Sequence, residues 1–100
     1  MIFKLYSPFE IGVKIAAAAK EKRLALDLSQ TSLSDRSGVS LSVIKKFERS
    51  GKISLESLLK IAIVLDSLND FENLFEPRPL EKYTTLDEIL KRKVRKRGRS

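Results

Sequence analysis

The chain has no cysteine and no histidine among its 100 residues. Without thiols there can be no disulfide and no thiolate metal site, which fits a reducing compartment. Without imidazole, metal binding and acid–base catalysis lose their commonest ligand and base. There is also no Gly-rich phosphate loop and no pair of spaced carboxylates set to face a cleft, so neither an enzymatic role nor a cofactor or metal is expected. No apolar run approaches the roughly 20 residues that a membrane-spanning helix needs. The start, MIFKLYSPFE, is too short and too charged for a signal peptide. These absences lead us to expect a cytoplasmic, non-secreted protein without a membrane partner.

A hydrophobic content of 42% is enough for one small compact domain with tails. The net charge of +7 is unevenly placed. Residues 91–100 carry Lys91, Arg92, Lys93, Arg95, Lys96, Arg97 and Arg99 and no acid, so residues 1–90 are neutral overall. The basic pI belongs to the tail, and an argument for nucleic-acid binding must rest on where charges lie within the domain.

Residues 2–6 read as a short strand or an extended arm, with a frayed terminus as the alternative, since one strand cannot bury itself. Ser7-Pro8-Phe9-Glu10 is a helix start: Ser as cap, Pro at the first helical position, Glu three residues after the cap. The helix that follows, to about residue 27, is expected to bury Ile11, Ile15, Ala19 and Leu26, with Ala16 to Ala19 permitting close approach of another helix. Its periodicity turns Lys20, Glu21, Lys22 and Arg23 mostly outward. Two short helices over about 30–37 and 41–49 come next. A fourth opens at Ser54 with Leu55, Leu58, Leu59, Ile61, Ala62 and Leu65 as its apolar face. A fifth spans 66–75, with Leu68, Phe71, Leu74 and Phe75 inward. Pro77 and Pro79 break the pattern. Thr85 restarts a marginal helix whose only apolar stripe is Leu86, Ile89, Leu90 and Val94. The expected organisation is an arm over 1–7, an all-α five-helix domain over 8–76, a linker over 77–84, and a short helix with a basic tail over 85–100.

The stretch from Leu28 to Lys52, LSQTSLSDRSGVSLSVIKKFERSGK, organises the rest. Ser29 caps a helix with Leu33 and the small Ser34 inward, and Gly38 permits the left-handed residue that ends it. Ser40 caps the next helix, with Ile44 and Phe47 on one face. Two helices joined by so tight a Gly-containing turn form a helix-turn-helix. Leu41, Ser42, Lys45, Lys46 and Arg49 are left on the outward face of the second, which in this motif enters the DNA major groove.

The segments LSQTSLSDRSGVS, IKKFERSGK and SLESLLKIA resemble the phage repressor and Cro (xenobiotic-response-element) family of helix-turn-helix proteins over about residues 11–75. By position, that resemblance implies base-edge contacts from Ser40, Leu41, Ser42 and Lys46, with Leu41 on a thymine methyl and Lys46 toward guanine O6 or N7. It implies phosphate contacts from Gln30, Lys45, Arg49 and Lys52. Gln30 would also buttress the recognition helix, and Arg23 and Glu48 match a buried ion pair between the first and third helices. Ser34 stands where the family usually has Ala. Within the family, FERSGKISLESLLKIA followed by LNDFENLF looks most like HipB-type antitoxins. That likeness implies a HipA-type kinase toxin as partner and repression of the protein's own operon; a stand-alone regulator is the alternative. One short helix reads too few bases for useful specificity, so we expect a homodimer on a pseudo-palindromic double-stranded operator. Its contact surface is either the fifth helix or the N-terminal strand. The tail over 91–100 reads as a solvated segment, a set of phosphate contacts or a docking helix for an acidic partner surface.

Overall fold

A computed structural model describes residues 6–77. The order is α1 Pro8–Ala25, α2 Gln30–Ser37, α3 Leu41–Ser50 and α4 Leu55–Val64, then a single 3₁₀ turn at Leu68–Phe71. The fold is all-helical. The strand expected at 2–6 and the helix expected from Thr85 lie outside the described residues, and among those described there is no strand. The expected fifth helix is corrected to the 3₁₀ turn: Leu68, Leu74 and Phe75 are 39%, 53% and 103% exposed rather than inward. So short a helix needs a packed face to persist. Ser67 gives this one no side-chain cap, and Phe75 takes a left-handed φ of 70° that stops any continuation.

Serine hydroxyls start all four α-helices. Ser7 Oγ accepts from the Glu10 N–H at 3.1 Å while Glu10 Oε1 accepts from the Ser7 N–H at 2.8 Å. The Ser7 backbone N–H, with help from its hydroxyl, holds the Glu10 carboxyl below its ordinary pKa. Ser29, Ser40 and Ser54 accept from Ser32, Val43 and Ser57 at 3.0, 3.3 and 3.1 Å. Each cap satisfies a donor that the helix itself leaves orphaned.

Leu33, Ile44 and Ile61, from α2, α3 and α4, are the largest fully buried side chains, and Ala16, Leu28, Val39, Phe47, Ala62 and Leu65 complete the core. The face that α1 contributes is not the one its large apolar residues suggest. Ile11, Ile15 and Leu26 are 39%, 39% and 47% exposed, whereas Ala16 and Arg23 are 1% and 6% exposed. Small residues face inward because α1 crosses the end of α3 at very short range. A Cβ on Gly12 would lie 3.0 Å from the Gly51 carbonyl oxygen, and one on Gly51 would lie 2.6 Å from the Gly12 carbonyl carbon. In α4, Leu55 is 63% exposed, so the expected apolar face is narrower by that residue.

Gly38 and Gly51 end α2 and α3 in the left-handed conformation, with φ of 78° and 77°. A Cβ on Gly38 would meet nothing within 4 Å. Gly38→Ala therefore carries only the backbone penalty, about 1–2 kcal/mol, and urea unfolding should show a loss of that size with the fold retained.

Candidate nucleic-acid interface

The turn Gly38-Val39-Ser40 sets the angle at which α3 leaves α2. Val39 is 4% exposed and pins the turn to the core. Its carbonyl accepts from Ser34 Oγ at 2.7 Å and its N–H donates to Ser37 Oγ at 3.1 Å. Ser34 thus ties α2 to the turn, a bond that an alanine there would lack. The offset of Ser37 from the N–H it accepts is one at which hydroxyls commonly bond nearby backbone, whereas the five-residue reach of Ser34 is set by the fold.

α3 is sharply two-faced. Ile44 and Phe47 fill the core at 0% and 2% exposure. Ser42, Lys45, Lys46 and Arg49 are exposed on the other side, Leu41 is half-buried, and Ser40 is exposed at the helix start. The Ser40 and Ser42 hydroxyls lie 3.3 Å apart. Ser50 Oγ donates to the Lys46 carbonyl at 2.6 Å and accepts from the Lys52 N–H at 3.2 Å, which fixes the chain where Lys52 leaves the helix. No carboxylate among the described residues pairs with Lys45, Lys46, Arg49 or Lys52. Their four charges stand without an ion-pair partner among the described residues, although the chain up to residue 90 is neutral.

The one acid in α3, Glu48, points the other way. Its Oε2 accepts from Arg23 Nε at 2.8 Å and its Oε1 from Arg23 Nη2 at 3.1 Å. Both side chains are 7% exposed. Arg23 Nη1 also donates to the Leu28 carbonyl at 2.7 Å, a third partner that no sequence pattern announces. The outward orientation that periodicity assigns to Arg23 is thereby corrected: a guanidinium with three partners can be buried. Gln30 Nε2 donates to Glu48 Oε1 at 3.0 Å, so the start of α2 is braced against α3. An amide nitrogen carries two hydrogens, which leaves Gln30 one for an outside acceptor.

The profile of the Helix-turn-helix family HTH_3 matches residues 20–71, just over half of the chain. The chain belongs to the helix-turn-helix family. None of the curated proteins compared with it matches the chain. Helix-turn-helix proteins of this Cro/C1 type are DNA-binding transcription regulators, and the matched segment takes in the four cations Lys45, Lys46, Arg49 and Lys52, the Arg23–Glu48 pair and the Gly38 turn. In this helix-turn-helix domain the buried half of α3 serves the fold, and its exposed half presents Ser42, Lys45, Lys46 and Arg49. No helix of the described residues is long and apolar enough to cross a membrane.

Proposed function

We propose that this helix-turn-helix protein is a sequence-specific repressor that places α3 in the major groove. The observation that carries the reading is the outward face of α3, where polar and cationic side chains pair with no carboxylate among the described residues. Lys46, Ser42 and Leu41 meet base edges, with Ser40 at the helix N-terminus, while Gln30, Lys45, Arg49 and Lys52 hold phosphates. The protein acts as a homodimer on half-sites about one helical turn, roughly 34 Å, apart. The basic run over 91–99 adds phosphate contacts, each steepening the salt dependence of log affinity by about 0.9.

The finer reading is an antitoxin in the cytoplasm, at the nucleoid, that represses its own operon and binds a HipA-type kinase toxin. Its support is the likeness of residues 47–62 and 68–75 to HipB-type sequences. A stand-alone regulator without a toxin is the alternative, and residues 84–100, longer and more basic than that type suggests, leave open how a partner would be contacted. Co-purification with the product of a neighbouring kinase-like gene separates the two: a stable complex supports the antitoxin, and a protein recovered alone supports the regulator.

Lys46→Ala tests the reading face. Discrimination between the preferred site and random DNA should fall by about 1–3 kcal/mol. The unfolding curve should not move, because the side chain is exposed. Competition binding at fixed salt measures this, and unchanged discrimination would contradict the assignment.

A further inference from the structure

An apolar groove of about 340 Å³ runs between α1 and α4. Ile15, Ala18 and Ala19 line it from α1, Leu58 and Ala62 from α4, and Phe71 from the 3₁₀ turn. No residue of α2 or α3 lines it, so an occupant leaves the DNA-facing side of α3 free. Apolar surface of this kind gains from being covered.

We infer that the groove is the docking site of this chain's own segment 85–94. The last described residue is Pro77, six positions after Phe71 at the groove, and residues 78–100 follow it. Residues 78–85 can each span up to about 3.3–3.6 Å, enough to bring the segment back over a groove that begins beside their own starting point. The segment then offers Leu86, Ile89, Leu90 and Val94 on one helical stripe, with Lys91 and Arg95 opposite. Leu74 and Phe75, 53% and 103% exposed, stand in the chain between the groove residue Phe71 and that segment. The groove's charged lining residues are one cation, Lys22, and one anion, Asp70, while the segment has acids at its start (Asp87, Glu88) and bases at its end (Lys91, Arg92). Tethering favours this occupant over any free one, because a short linker gives an effective concentration in the millimolar range. A helix too short to persist alone gains its order from the docking.

The absence of cysteine gives a clean test. In the full-length chain, Arg95→Cys carries a nitroxide on the side away from the stripe. With nitrogen-15 enrichment, the amide signals of Ala18, Ala19, Ala62 and Ser67 should lose most of their intensity, while those of Ser42 and Lys46 keep theirs. Reducing the nitroxide, or adding Ile89→Asp and Leu90→Asp, should restore the lost signals. A second sample mixes spin-labelled, unenriched protein with enriched protein that has no label. Broadening at the groove in that mixture would make the occupant a second copy and overturn the inference. No broadening in either sample would overturn it as well.

Discussion

Glu48→Ala is expected to cost about 3–5 kcal/mol of folding free energy, because it leaves the Arg23 guanidinium buried without its counter-charge. The carboxylate accepts three hydrogen bonds, two from Arg23 and one from Gln30, and both ends of the ion pair are 7% exposed. Water cannot readily replace what is lost. A domain of this size holds only about 5–15 kcal/mol in total, so the variant should lose a large share of its stability and unfold at a clearly lower urea concentration. The pair is a requirement once present rather than a large net gain. Replacing both partners, as Arg23→Met with Glu48→Leu, should therefore cost less than Glu48→Ala alone. Arg23→Lys keeps the charge but not the planar fork that meets Glu48 and the Leu28 carbonyl together; its cost should fall between the two. Urea unfolding followed by circular dichroism gives all three values. A loss below about 1 kcal/mol for Glu48→Ala, the size typical of exposed pairs, would mean that the pair is solvated.

Gly51→Ala is the second large effect. The position combines a φ of 77° with backbone contact, since an added Cβ would sit 2.6 Å from the Gly12 carbonyl carbon and 2.7 Å from the Val13 nitrogen. The left-handed backbone costs about 1–2 kcal/mol and overpacking about 1–3 kcal/mol, giving about 2–5 kcal/mol together. Gly38 has the same φ and open space, so the difference between the two alanine variants isolates the close crossing. Asn provides a second separation. It tolerates the left-handed region and should be mild at position 38, but it still carries a Cβ and should remain damaging at 51. Equal effects at the two glycines would remove the crossing from the description of the core.

The contrast between these glycines also shows where the sequence was readable. Both were visible as helix ends followed by turns, and the serine caps were visible beside them, because capping is local chemistry with fixed offsets. The inward face of α3 was legible for the same reason: Ile44 and Phe47 are large, three apart and separated by two lysines. The face of α1 was not. Periodicity assumes that the largest apolar residues go inward, and here the approach of α3 to Gly12 reserves the inward side for Ala16 and the paired Arg23 while Ile11 and Ile15 move to the flank. The 66–75 stretch failed differently. Leu68, Phe71, Leu74 and Phe75 have helical spacing, but spacing does not supply the packed surface that a short helix needs. In the candidate interface, residue types and spacing on α3 were readable. The Leu28 carbonyl and the Ser34 clamp depend on three-dimensional placement and were not.

The central claim is that the exposed side of α3 reads bases. Selection from a random double-stranded DNA library, run in parallel for the native chain and for the Ser42→Ala/Lys46→Ala variant, tests it most directly. The native protein should enrich a two-fold-symmetric motif with half-sites about one turn apart, and the variant should retain general DNA affinity while losing base preference at the same positions within each half-site. Enrichment of the same motif with undiminished preference by both proteins, or of no motif by the native chain, would contradict it.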